Sequence, residues 1–294
     1  MMGIDSTWAG LDPWEGLGGD FVRQPVTSPW RDLDRPPLRP AALRGALVTS
    51  EGVWTELRVV AETGSTNADV AAAARAGAAE GLVVVAELQT AGRGRADRTW
   101  QAPLRSGLAL SVLLRPTAPR ETWGWLPLVA GLAVAGPVAD LSGLELGLKW
   151  PNDVLVADRK LAGLLAEVVD DAVVLGIGLN VSLREDELPV PTATSLAVEG
   201  SAVVDREPVL RAVLRDLGRR YRTFEDHRGD AGAAGLHDAY RAACTTIGRA
   251  VRVTLPGDRV LEGDAVDVDS SGRLVVRTAT GTEALAAGDV VHVR

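Results

Sequence analysis

Between Gln89 and Trp100 the chain reads Gln-Thr-Ala-Gly-Arg-Gly-Arg-Ala-Asp-Arg-Thr-Trp, with Gly92, Arg93, Gly94, Arg95 and Arg98 inside seven residues. Glycine allows positive φ and close backbone approach, so successive N–H groups can line a cradle for an anion. Guanidinium groups stay charged and fork onto carboxylate or phosphate oxygens. On an extended backbone Arg93 and Arg95 would point the same way. A second charged group follows at Lys149-Trp150-Pro151-Asn152-Asp153 and Arg159-Lys160-Leu161-Ala162-Gly163. Pro-Asn-Asp is ordinary turn chemistry, but the two lysines stand on strands joined by a tight hairpin and can converge on one point. Asn152 and Asp153 offer an amide and a carboxylate there, and Asp153 could hold Mg²⁺ through water or orient a lysine. Ser65-Thr66-Asn67 opens an alanine-rich helix. An N-cap uses one such residue, which leaves spare hydroxyl and amide groups for a small polar ligand at the positive helix end. Gly176-Ile177-Gly178-Leu179-Asn180 closes a strand. It reads either as a glycine-softened strand with a bulge or as a close approach to a ligand read by Asn180.

Composition narrows the partner. The 294 residues carry a net charge of −8, whereas a general nucleic-acid binder is basic. The arginines are therefore a local concentration suited to a local anion. Cys244 is the one cysteine, which excludes an internal disulfide and suits a reducing cytoplasm. His227, His237 and His292 show no metal-ligand spacing. No run of eighteen apolar residues suggests a membrane span, and the amino terminus lacks the pattern of a secretory signal.

These residues need a scaffold. Strands are expected over Leu57–Ala61, Leu82–Val85, Leu108–Leu114, Leu144–Trp150, Val154–Val156, Lys160–Val169 and Val173–Asn180. Helices are expected over Asn67–Ala76, over Trp123–Asp140 with Pro137 disturbing its last turn, over Glu207–Glu225 and over Leu236–Cys244. Strands in tight succession with helices before and after argue for α+β with a mixed or largely antiparallel central sheet. From Ile247 the period changes to two, between Pro-Gly-Asp, Ser-Ser-Gly and Ala-Gly-Asp turns, which is the pattern of a small β-barrel. Six of the sixteen prolines fall in the first forty residues beside Trp8, Trp14 and Trp30, with neither a persistent period nor a helix-turn-helix pattern. The expected organisation is a poorly ordered or loosely docked extension over 1–52, a catalytic domain over 53–244 and the barrel over 245–294.

The five motifs together occur in the order and at the spacings of bacterial biotin–protein ligases. From about residue 56 to the carboxyl terminus the chain resembles that family, most of all its monofunctional, actinobacterial-like type without an amino-terminal DNA-binding domain. The resemblance implies a class II synthetase-like biotin/lipoate ligase domain flanked by helices, followed by an SH3-like barrel. It implies ATP-dependent formation of biotinyl-5′-AMP, then transfer of biotin to a lysine of a biotin carboxyl carrier domain, as in acetyl-CoA carboxylase. Carried over by motif, Ser65, Thr66, Asn67, Gln89, Gly92, Arg93, Gly94, Arg95, Lys160 and Gly163 would serve biotin. Arg98, Trp100, Lys149, Asn152, Asp153 and Asn180 would serve ATP and the adenylate, with Asp153 at Mg²⁺. Lys160, Arg95, Arg93 and Lys149 would carry the chemistry. The sequence departs from the family pattern at Ala96-Asp97, which sets a negative charge inside the cradle. A lipoate or octanoate ligase of the same fold, or a non-enzymatic biotin-responsive protein, are the alternatives. No DNA or membrane partner is expected.

Overall fold

The structure is a computed structural model that describes residues 35–95, 98–255, 257 and 259–293. The chain separates into Met1–Asp34, outside the described residues together with Trp8, Trp14 and Trp30, and a compact unit from Arg35 onward. Seven strands make the main sheet: β1 (Glu56–Val60), β2 (Leu82–Ala86), β3 (Gly107–Leu114), β4 (Leu146–Lys149), β5 (Asp153–Val156), β6 (Arg159–Val169) and β7 (Ala172–Asn180). Their order is β1-β2-β3-β7-β6-β5-β4, and only β1 and β2 pair in parallel. The expected mixed, largely antiparallel sheet is what forms.

The alternation of side chains divides this sheet into two faces. Val83, Val85, Leu110, Val112, Leu175 and Ile177 belong to the main core, under α3 (Leu126–Ser142) and α4 (Arg206–Asp226). Leu82, Val84, Leu113 and Val174 face α2 (Thr66–Arg75), whose Val70, Ala71 and Ala74 are small enough to sit close to the strands. Both faces of β2 are covered, so all five of its residues are buried. Helix α3 is apolar all round because α4, β4 and β6 enclose it. With the 3₁₀ turn Arg120–Trp125 before it, α3 is long and apolar enough to cross a bilayer, yet most of that stretch is packed inside the protein. Pro137 lies within α3 without ending it; the helix runs on to Ser142.

The expectation of a loose extension up to residue 52 needs correction over 35–52. Helix α1 (Pro40–Leu47) places Leu43 and Leu47 on one face, and both join Leu38 in the main core. Arg35 pairs with Glu187, while Arg39 reaches Glu207 at 2.9 Å. Eight residues are too few to show a persistent period in sequence; tertiary packing holds such a helix.

The second sheet, β8 (Ala250–Thr254), β9 (Val260–Val268), β10 (Leu274–Thr278), β11 (Gly281–Leu285) and β12 (Asp289–His292), is antiparallel in the order β11-β10-β9-β8-β12. It is barrel-like and small. Its Val251, Val253, Leu261, Val268 and Val276 share one core cluster with the main sheet. Trp125 and Trp150 donate their indole N–H groups to the carbonyls of Asp269 and Gly272, each at 3.1 Å. Backbone meets backbone there: a Cβ on Gly124 would lie 2.3 Å from the Ser271 carbonyl, and one on Gly272 would lie 2.6 Å from Gly124. Helix α5 (Leu236–Ala243) leads into this sheet, and Cys244 just after it bridges Leu148 at the end of the main sheet.

Candidate active site

On the α2 face, beyond the end of that helix, the sheet is left uncovered and forms the floor of a cleft of about 1480 Å³. The register explains which side chains reach it. Ser111 on β3 pairs with Gly176 on β7, Gly176 with Leu165 on β6, Gly178 with Gly163, and Gly163 with Asp153 on β5. Asp153 pairs in turn with Lys149 on β4.

Strict alternation would set Lys160 and Gly163, three apart, on opposite faces. A register shift corrects this: Val154 pairs with Ala162, but Leu155 pairs with Lys160. Leu161 is the extra residue of a β-bulge and is fully buried. The bulge turns Lys160 onto the cleft side with Gly163, Leu155 and Asp153. Its backbone is gripped from the other side as well, because Lys160 N–H donates to the Thr192 carbonyl at 2.7 Å and Thr194 N–H donates to the Lys160 carbonyl at 2.9 Å. Lys160 Nζ sits 2.6 Å from Asp153 and 5.8 Å from the centre of the Trp100 ring.

The paired glycines admit protein side chains. A Cβ at Gly176 would lie 2.1 Å from Asn67 Oδ1, and one at Gly178 would lie 2.4 Å from the Trp100 indole. Asn67 and Trp100 therefore rest directly on the sheet, and Gly163 extends the same shelf, 3.1 Å from Trp100 by the same measure.

The Gly/Arg loop folds back on itself: Arg93 and Thr99 form an antiparallel bridge, and Trp100 N–H donates to the Gly92 carbonyl at 2.9 Å. Gly92 lies behind the loop, where a Cβ would meet the Trp100 carbonyl at 2.3 Å. Gln89 runs beside Thr63 and accepts from Thr66 N–H at 2.8 Å and Thr66 Oγ1 at 3.0 Å. Ser65 occupies the N-cap of α2, but its hydroxyl makes no cap bond; it is buried and lines the cleft. Arg95 NH1 donates to Asn152 Oδ1 at 3.2 Å, and Arg98 pairs with Asp289 of β12. Burial pushes the Arg95 pKa down and Arg98 adds to this, while Asp153 and Asp289 oppose; a guanidinium stays charged regardless. Ala96 and Asp97 lie outside the described residues.

The cleft thus collects Ser65, Thr66, Asn67, Gln89, Arg93, Gly94, Arg95, Arg98, Trp100, Lys149, Asn152, Asp153, Lys160, Gly163 and Asn180 from five separate stretches of chain. Asn67 and Asn180 are bonded to the framework. Asn180 donates its amide to the Thr194 carbonyl at 2.8 Å. Asn67 donates to Glu167 at 2.7 Å and Leu165 O at 3.3 Å, and it accepts from Ser111 at 2.6 Å. Both are struts of the cleft. The sequence reading missed Ser111, because one serine in an apolar strand carries no signal. It also missed Arg249 and His292, which the second sheet brings to the cleft. Burial lowers the His292 pKa, with Lys149 and Arg249 acting the same way against Asp158. Among the described residues no three His, Cys, Asp or Glu side chains cluster as a metal site. Asp153, the carboxylate paired with Lys160, fits a Mg²⁺ carried mainly by phosphates and water.

Profiles of two known domains match the chain, that of the Biotin/lipoate A/B protein ligase family over 63–183 and that of the Biotin protein ligase C terminal domain over 246–293. The chain belongs to the biotin/lipoate A/B protein ligase family. It is 47% identical over 269 residues to a biotin--[acetyl-CoA-carboxylase] ligase of Mycobacterium tuberculosis, covering 90% of this chain and 99% of that one. With the bifunctional ligase/repressor BirA of Bacillus subtilis it shares 33% identity, over 72% of this chain and 66% of that one. Among solved structures, biotin protein ligase from Aquifex aeolicus in complex with biotin and ATP superposes with a TM-score of 0.69 at 28% identity, covering 82% of this chain and all of that one. The Leishmania major enzyme with biotinyl-5-AMP gives 0.56 at 25% identity, over 79% and 99%.

Proposed function

We infer that this cleft joins the carboxylate of biotin to the α-phosphate of ATP, and that the chain is an ATP-dependent biotin–protein ligase. The observation that carries the reading is the meeting of Lys149, Lys160, Arg93, Arg95 and Arg98 over a glycine shelf in a chain of net charge −8. A carboxylate and a triphosphate repel, and at about 4 Å the repulsion amounts to roughly 4 kcal/mol for each pair of unit charges near a protein surface. Fixed cations remove that barrier without reorganising during the reaction.

The residues divide the work. Lys160 is already aimed, held by Asp153 at 2.6 Å, so an incoming carboxylate meets an oriented side chain. Thr66, Ser65 and Gln89, which line the cleft, would supply polar groups for the ureido head. Arg95, Arg98 and Lys149 would receive the phosphates, with Asn152 fixing Arg95. The carboxylate oxygen attacks phosphorus, the bond to the β-phosphate oxygen breaks, and pyrophosphate leaves. Mg²⁺ bound with the nucleotide would neutralise phosphate charge, with Asp153 as its protein contact. In the second step a neutral lysine amine attacks the mixed anhydride, an amide forms, and AMP and a proton leave. The acceptor we propose is the lysine of a biotin carboxyl carrier domain, in a reducing cytoplasm. No protein nucleophile is called for, and Cys244 is buried in the core.

Biotin-dependent exchange of pyrophosphate into ATP tests the reading. Exchange is expected with biotin; exchange with lipoate and none with biotin would overturn it.

A further inference from the structure

One acid ties the Gly/Arg loop to the cleft floor from outside the cleft lining. Glu167, near the end of β6, accepts two hydrogen bonds at the same oxygen: Asn67 Nδ2 donates to Oε2 at 2.7 Å and Arg93 NH2 at 2.8 Å. Asn67 Oδ1 takes the Ser111 hydroxyl at 2.6 Å, and Ser111 Oγ lies 2.7 Å from Thr66 Oγ1. Thr66 then reaches Gln89 at 3.0 Å through its hydroxyl. Gln89 begins the loop and Arg93 lies at its middle, so the path leaves the loop and returns to it. Start and middle are fastened to the floor through a single carboxylate and a buried chain of hydroxyl and amide groups.

We propose that Glu167 is a positioning residue for ligation, a clasp that holds the loop down over biotin and its adenylate without touching either; this rests on the ligase reading of the cleft. A carboxylate suits the role because it accepts from two donors at once and carries the charge that Arg93 needs. Arg93 is 45% and Glu167 30% exposed. Pairs this open hold weakly, so the clasp can release for substrate entry and close again. Its Asn67 arm reaches a buried residue, so closure also orients the polar floor.

Three readouts separate the clasp from a general structural role. In E167Q, hydrogen exchange of the backbone amides over 89–95 should quicken in the ligand-free protein. The KM for biotin and the release rate of biotinyl-5′-AMP should rise about five- to tenfold, the effect of losing one partly exposed charge-assisted bond, while kcat at saturating substrate stays within about twofold. R93Q, which also removes a cation from the cleft, is read by loop exchange alone: exchange over 89–95 should quicken as in E167Q, and in the double variant it should quicken no further than in either single one. Unchanged loop exchange in E167Q, or exchange effects that add in the double variant, would overturn the clasp. Should E167Q fail to fold, R93Q reads the same contact from its exposed end, and unchanged loop exchange there overturns it equally. Loop exchange needs no substrate, so its outcome is independent of whether wild-type protein exchanges pyrophosphate with biotin.

Discussion

At the scale of single residues, the cleft depends on a few side chains whose neighbours leave them no freedom. Lys160 is the clearest case, gripped through its backbone by Leu155 and Thr192 and through its ammonium by Asp153. Replacing it with alanine should slow adenylate formation by about a hundredfold or more, the range for losing one preorganised group at a developing charge, with the fold intact. Pyrophosphate-exchange rates and the melting temperature, measured together, check both halves. Gly178 is the second case. In Gly178→Ala the added methyl would lie 2.4 Å from the Trp100 indole, so Trp100 must leave the shelf. Adenylate affinity measured by calorimetry should fall at least tenfold while circular dichroism stays unchanged; an unaltered affinity would show that the indole's seat on the sheet is dispensable.

Among the elements, those with strong periodicity were legible in the sequence. The seven strands of the main sheet, α4 with its apolar stripe, and the period-two carboxyl-terminal sheet all stand close to where pattern placed them. So do the five motifs, which the register brings to one cleft. The bulge at Leu161 was not legible, because a leucine inside an apolar strand gives no sign of slipping register. Nor was the role of Gly176 and Gly178 as seats for Asn67 and Trp100, since that depends on which strands lie side by side. Helix α1 escaped for want of length. It is nonetheless well anchored: Leu43 is fully buried, and Leu43→Ala should reduce stability by about 2–5 kcal/mol in denaturant titration.

Acid should release the same segment. Burial works against the charged form of Glu187, yet hydrogen bonds from the Arg35 side chain and the Arg184 backbone, with both positive charges, hold its carboxyl below the ordinary value. The hydrogen bond and charge of Arg39, helped by Arg211, do the same for Glu207 against burial. A lowered carboxyl pKa means stability that is present above the unfolded value of about 4.3 and is lost as pH falls through the folded values. Amide protection over 38–47 should therefore decline below about pH 4.3 ahead of the central strands. Equal decline in both would show that these arginine pairs do not fasten the segment.

For the whole molecule, the two sheets behave as one body. They share a core, and two tryptophan indoles bond across the junction. Heating is expected to give a single transition whose calorimetric and van't Hoff enthalpies agree; two resolved transitions would contradict the shared core. The facing backbones of Gly124 and Gly272 carry this further, into how such chains can be recombined. Sequence profiles divide the protein into blocks that end at 183 and begin at 246, as though the second could be exchanged freely between relatives. The junction leaves no room for a side chain on either strip of backbone, so a donor block with any residue but glycine at position 272 would wedge the sheets apart and pull Asp289 away from Arg98. Inheritance of the carboxyl-terminal sheet is thereby coupled to one turn ahead of α3, and a cross that ignores that turn should yield protein that neither packs nor closes its cleft.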